Sequence, residues 1–282
     1  QYKLTSTNNW EIDIQTDNCD RWETCKKTLS ITLGGFRVVA VGKSVTVNGV
    51  TLNSTQGFVN GPLTIERRTE DYTYLRYSDG VRCKWDNQLT AYVTVDQTYM
   101  KQVKGLCGTY TNNPSDDLEL PDGSLSNSVT NFANGWRSDS GCPSSATPTD
   151  PCSTQALITA AEIACRPIRD PYDAFKVCNR IINDTYMFAA CKRDYCASAT
   201  YGSDAQQQAL CAAFEAMARD CEDNYIHINW RLSNRCPKPC LNDKVYTECA
   251  TSCPATCQNH REGFRDSLDC SKDCAPGCIC PL

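Results

Sequence analysis

Twenty-one cysteines in 282 residues constrain this chain more than any other feature. A chain of that length can bury an ordinary hydrophobic core, so its cysteines are not a substitute for one. Thiols at this density persist as disulfides in an oxidising compartment, whereas a reducing compartment would turn them to metal or redox chemistry. The chain therefore reads as secreted and extracellular. Glycosylation sequons at Asn53 and Asn183 agree with that compartment, while Asn113-Pro114-Ser115 is excluded by its proline. No apolar run approaches the roughly 20 residues of a membrane span. The N-terminal QYKLTSTNNW has neither the basic start nor the apolar core of a signal peptide, so the segment reads as a mature or excised piece.

The net charge is -5 with the acids scattered, which leaves no basic tract of the kind that neutralises nucleic-acid phosphates. Catalytic chemistry is equally short of parts. His227 and His260 are the only histidines, and no Gly-x-Ser-x-Gly elbow occurs. Paired carboxylates such as Asp116/Asp117 and Glu222/Asp223 are adjacent in sequence, which does not by itself aim them at a substrate. The expectation is a non-enzymatic chain.

Three regions follow one another. Residues 1–142 alternate as strands do in WEIDIQT, TLSITL, FRVVAV, SVTVNGVTL, LTIERR, YTYLRYS, VRCKW and TAYVTV. Gly34-Gly35, Asn48-Gly49, Asp79-Gly80 and Asp86-Asn87 punctuate them, so this region predicts an antiparallel β-sandwich with Trp10, Trp85, Tyr92 and Trp136 in its core. After PSSATPTDP, residues 152–236 turn alanine-rich with helical spacing in TQALITAAEIAC, YDAFKVCNRII, YMFAACKRDYC and DAQQQALCAAFEAMARDC. Their eight cysteines suggest four internal bridges in a small helical domain. Residues 237–282 hold eight more cysteines among prolines and glycines, a stretch that must be stapled because it has little core. Cys-x-x-x-Cys spacings recur here at Cys249/Cys253/Cys257 and Cys270/Cys274/Cys278; zinc could use them, but the compartment argument favours disulfides.

Gly105-Leu106-Cys107-Gly108, followed by TYTNNPSDDLELPDG and NFANGW, resembles the von Willebrand factor type D domain of secreted matrix, mucus and coat proteins. The eight-cysteine helical block through Trp230-Arg231 and Cys236 resembles the C8 module. VYTECATSCPATCQN with CAPGCICP resembles a trypsin-inhibitor-like module. The order of the three matches a type D assembly over nearly the whole chain. The resemblance implies a multidomain fold and a structural, adhesive or assembly function in a large secreted glycoprotein. Its implied partners are other segments or copies of the parent protein, possible disulfide-linked ones included, and extracellular proteins or glycans.

The resemblance also implies a calcium ion at the Thr109–Asp117 loop, with Asp116 and Asp117 as hard oxygen ligands. Thr109 and Thr111 stand where the family usually has Asn and Asp, which lowers the formal charge there. Lys104 stands where the family has the first cysteine of Cys-Gly-Leu-Cys, so a disulfide-exchange role is not expected. The implied pairing joins Cys19 to Cys25, closes the C8 block on itself, and joins Cys240, Cys249 and Cys253 to Cys278, Cys274 and Cys270. Cys83 and Cys142 are left as a pair. Cys107, Cys257 and Cys280 then need cysteines outside this sequence, which accounts for the odd total. Two alternative functions remain open at this point. One is serine-protease inhibition through Asn259–Leu268, with Arg261 and Arg265 as specificity residues. The other is an oxygenase of the kind found in a marine luciferase built on this fold.

Overall fold

The computed structural model describes residues 1–16, 27–53, 57–67, 69, 71–87, 90–138, 150–250 and 275–279. The chain divides into two compact units at residues 148–149. Each is described by itself.

The first unit is built of two antiparallel meanders. One sheet runs β1 (Tyr2–Ser6), β2 (Trp10–Thr16), β3 (Lys27–Leu33), β4 (Phe36–Val41), β5 (Ser44–Val47) and β6 (Val50–Thr51) in consecutive order. The other runs β7 (Phe58–Asn60), β8 (Leu63–Arg67), β9 (Tyr72–Tyr77), β10 (Val81–Asp86) and β11 (Ala91–Val95). The period-2 pattern of KTLSITL buries Leu29, Ile31 and Leu33 while the intervening residues face outward. Leu63, Ile65, Leu75, Val81, Cys83 and Trp85 answer them from the second sheet, and the two inner faces share one core.

Turn chemistry sets the register. Gly34 and Gly35 both have positive φ and join Leu33 to its partner Phe36; Asn48 and Gly49 do the same between Val47 and Val50. Two-residue hairpins of this kind need left-handed backbone at both central positions, which these residues accept. Trp10, Trp85 and Trp136 are buried as expected. Tyr92 is not: it lies half-buried on the outer face, with the Lys84 ammonium 5.1 Å from its ring. Its strand places it one residue out of phase with the inward Ala91 and Val93. A short helix α1 (Val129–Gly135), capped by Ser128, was not legible as a separate element in the alternation reading.

The second unit begins with three helices, α2 (Gln155–Cys165), α3 (Asp184–Ser198) and α4 (Ser203–Asp223). Thr154 caps α2 and Asn183 caps α3, each accepting a backbone N–H of the first turn. YDAFKVCNRII does not form the expected α-helix; only Ala174–Val177 turns, as 3-10 helix. The buried Phe175 and Cys178 tie this stretch to the core instead. Phe175, Phe214 and Trp230 pack with ring centroids 5.6 to 6.0 Å apart.

Four disulfides close the helical domain on itself: Cys152–Cys196, Cys165–Cys191, Cys178–Cys221 and Cys211–Cys236. With separations of 25 to 44 residues, each removes about 3.5–4 kcal/mol of unfolded-chain entropy in the loop-closure account. Beyond them β12 (Val245–Ala250) pairs with β13 (Ala275–Ile279), and Cys240 bridges Cys278. Cys249 is also disulfide-bonded; Cys274, its implied partner, lies outside the described residues, as do Cys253, Cys257, Cys270 and Cys280.

A buried ionic cluster joins β12 to α4. Arg219, 2% exposed, holds Glu222 at 2.6 Å and Glu248 at 2.5 Å. Arg231 contacts Glu248 at 2.9 Å and Glu215 at 2.7 Å. Burial pushes the Glu248 carboxyl up, against the pull of both guanidiniums, and pushes the Tyr246 hydroxyl up beside it.

Candidate cation-binding loop and unpaired thiols

The loop is anchored by the backbone of β1. Lys104 exchanges hydrogen bonds with Ser6, Leu106 N donates to Lys3 O, and Cys107 N donates to Leu4 O. Gly105 makes this approach possible, because a Cβ there would sit 2.5 Å from the Leu4 carbonyl oxygen. Lys104, at the position of the missing cysteine, ion-pairs instead with Glu119, whose carbonyl accepts from the Trp136 indole at 3.0 Å.

From that anchor the chain folds back so that the four residues singled out in sequence converge. Thr109 and Thr111 each donate a hydroxyl to Asp116 Oδ1 at 2.7 Å. Thr109 N donates to Asp117 Oδ1 at 3.3 Å. The two threonine hydroxyls, Thr109 first, hold the Asp116 carboxyl below the usual carboxylate range. Gly108 has φ +87° and leaves room for Asp117, whose Oδ1 would lie 2.5 Å from a Cβ at that position. Tyr110 and Asn112 also adopt left-handed backbone, at φ 54° and 62°.

Asn113 belongs to the same cluster and was missed in the sequence. Its Nδ2 donates to Asp116 Oδ2 at 3.4 Å, and its Oδ1 caps the turn Pro114–Asp116 by accepting from Ser115 N. The signal was there: Asn-Pro-Ser-Asp is an N-cap followed by proline at the first helical position. Beside the loop lies a cleft of about 510 Å³ whose walls include Thr5, Val93, Val95, Val103, Cys107, Tyr110 and Asp117.

The donor set is made of hard oxygens, two carboxylates and two hydroxyls, and its chemistry suits a hard divalent cation. Only two of these groups carry formal charge. Among the described residues no group of three or more His, Cys, Asp and Glu is gathered as a metal site.

Among the described residues of the first unit, two thiols are unpaired. Cys107 is exposed at the cleft, and Cys83 is buried in the sandwich core at 2% exposure. Cys83 points inward from β10 among apolar neighbours, and burial pushes its thiol up to about 12; the bridge expected between it and Cys142 falls outside the described residues. Cys142, Cys19 and Cys25 lie outside the described residues. Asn53 and Asn183 are both exposed, although Ser54 and Thr55 of the first sequon lie outside the described residues. Asn183 Oδ1 accepts from Tyr186 N at 3.1 Å. His227 lies in the second unit, and His260 with Asn259–Leu268, Arg261 and Arg265 lies outside the described residues. No described helix is long and apolar enough to cross a membrane.

Family models match in the same order as these regions: the von Willebrand factor type D domain over residues 1–124, the C8 domain over 164–237, and the trypsin inhibitor like cysteine rich domain over 240–282. The chain is a von Willebrand factor type D assembly made of these three domains. Among its curated relatives, SCO-spondin of Gallus gallus is 31% identical over 232 residues, covering 80% of this chain and 4% of that protein. Mucin-2 of Rattus norvegicus is 28% identical over 218 residues, covering 77% of this chain and 14% of that protein. Von Willebrand factor of Bos taurus is 26% identical over 251 residues, covering 86% and 26%. The chain thus spans a small part of the length of each.

Proposed function

We propose that this chain is a non-enzymatic, secreted assembly module that gives a larger extracellular glycoprotein a rigid, covalently stapled unit. The observation that carries the reading is the self-contained staple set. Four disulfides close the helical domain, and a fifth closes the following hairpin, in the module order of a type D assembly. Relatives named SCO-spondin, mucin and von Willebrand factor support it. Other copies or segments of the parent protein are the natural partners, and exposed Cys107 is the atom through which one could be linked covalently. Asn53 and Asn183 are the proposed glycan acceptors.

Calcium is the proposed cofactor, held by Asp116 and Asp117 with the Thr109 and Thr111 hydroxyls. Bound there, it would supply charge neutralisation that ties the loop to its β1 anchor, and it would stabilise the folded form by mass action. With two formal charges in the site, affinity belongs to the weaker, extracellular end of the range, on the order of 0.1–1 mM.

Disulfide-mapped mass spectrometry of the natural, non-reduced protein tests the assembly reading. Cys107 linked to a peptide outside this sequence supports it, and a free or internally paired Cys107 in the natural protein overturns it. For calcium, titration calorimetry on the wild type and on Asp116→Asn is the measurement. Heat at millimolar calcium that disappears in the variant is expected, and identical traces would remove calcium from the reading.

A further inference from the structure

The side chain of Asn183 keeps two roles on two separate atoms. Its Oδ1 accepts the Tyr186 N–H at 3.1 Å and caps α3, while its Nδ2 has no hydrogen-bond partner among the described residues. Asn183 and Thr185, the residues that define the sequon Asn183-Asp184-Thr185, are both exposed. Attachment of a glycan forms a bond from Nδ2 to C1 of the first sugar. The bond from that C1 to the diphosphate of a lipid-linked donor breaks, and the Nδ2 proton leaves with the diphosphate. The amide keeps Oδ1 as an acceptor, so the cap and a glycan are compatible.

The residues around the cap hold that amide in place. Ile182, just before the cap, and Met187, the fourth residue of α3, both pack against the core of this unit, which is the arrangement of a hydrophobic staple. The N–H groups of Ile181 and Ile182 both donate to Cys178 O, and Cys178 is bridged to Cys221 of α4. Asn183 therefore projects from a fixed platform. Two large apolar side chains next to it are left uncovered, Ile181 at 55% and Tyr186 at 67% exposure. Tyr186 is the third residue of α3, and a side chain there leans back toward the helix N-terminus, over the cap. Its ring offers an apolar face with a polar hydroxyl at the edge, a surface suited to the C–H face of a sugar.

We infer that the first N-acetylglucosamine of an Asn183-linked glycan seats on the Tyr186 ring and Ile181, so that the glycan fastens the N-terminus of α3 as well as coating it. This rests on the reading of Asn183 as a glycan acceptor. The amide is already oriented by the Tyr186 N–H and the platform by the staple, so the sugar is placed with little further loss of conformational freedom. The same helix carries Cys191 and Cys196, bridged to Cys165 and Cys152, which makes its first turn the open end of an otherwise stapled element.

The test is a double-mutant cycle on the full chain secreted from a glycosylating cell line, with glycopeptide mapping to read occupancy of Asn183. Thr185→Ala removes the glycan and keeps Asn183 as the cap. The unfolding midpoint of the second unit is expected to fall by about 4 °C or more, the shift that loss of one aromatic contact predicts. In the Tyr186→Ala chain the same removal should change the midpoint far less, and in the Tyr186→Phe chain the full dependence should return. Any effect of the threonine itself cancels in the cycle. A ring-current displacement of the sugar N-acetyl methyl signal, present in the wild type and lost in Tyr186→Ala, would report the contact directly by NMR. An unoccupied Asn183 overturns the acceptor reading and the seat together. An occupied Asn183 whose glycan matters equally in the wild type and in Tyr186→Ala overturns the seat alone. Neither readout depends on what Cys107 is joined to, so the assembly reading stands or falls separately.

Discussion

At the scale of single residues, the loop shows how a motif is held by chemistry that its composition does not announce. Asp116 is fastened by Thr109 and Thr111, and both threonines in turn depend on a backbone anchored to β1 through Gly105. Thr111→Val removes one of the two hydroxyls that keep the carboxyl ionised. The Asp116 carboxyl should then titrate at higher pH than in the wild type, which carboxylate NMR would read directly. The sign is that of a depressed carboxyl: the Thr hydroxyl bonds contribute above the ordinary carboxylate pKa and fade as pH falls through the lowered one. Cys83 makes a second residue-scale prediction. A thiol buried at 2% exposure and pushed up to about 12 should resist alkylation at neutral pH in the native protein and react once guanidinium unfolds it. Modification of native Cys83 by peptide-mapped alkylation would contradict the buried, unpaired assignment.

At the scale of elements, the joint between α4 and β12 is the part most exposed to failure. Arg219 serves two carboxylates from a nearly inaccessible position, so replacing it leaves Glu248 and Glu222 buried with less compensation. Arg219→Met should cost about 3–5 kcal/mol of unfolding free energy by denaturant titration. Glu248 should impose a pH slope on the same transition. Its folded carboxyl is raised above the ordinary value by burial, so its contribution is fullest below that value and is lost as pH rises through the raised one. Glu248→Gln should flatten stability above the ordinary carboxylate range, and an unchanged slope would mean that other groups set it. The aromatic trio offers a simpler test of packing: Phe214→Ala opens a void among Phe175 and Trp230 and should cost about 3–5 kcal/mol.

At the scale of the molecule, the two units are stabilised by different means. The sandwich is held by a two-sheet apolar core and, among the described residues, contains none of the disulfides; the second unit is held by five between described residues and by a further one at Cys249. Differential scanning calorimetry should therefore resolve two transitions. Reduction should abolish that of the second unit, because each staple contributes kcal/mol that a small helical core does not replace. The sandwich transition should survive, and its loss under reductant would place its stability elsewhere. Rigidity of the second unit under oxidising conditions is what an assembly module requires, since a stiff spacer transmits position between neighbours.

Much of this was determined by the sequence alone. Period-2 alternation, Gly-Gly and Asn-Gly turns, helical spacing and cysteine parity are local rules, and they specify the sheets, the hairpins, the helical domain and its self-closed disulfides. Two kinds of fact were decided only by tertiary structure. One is the environment of a residue: Cys83 falls among inward apolar side chains, Tyr92 one position out of phase on the outer face, and the Ala174–Val177 segment is drawn to a core that permits only a tight turn. The other is convergence from distant positions, as when Arg219, Arg231, Glu215 and Glu248 meet. The physical reason is the same for both. Local propensity acts over a few residues, whereas burial and charge pairing depend on which segments the whole chain brings together.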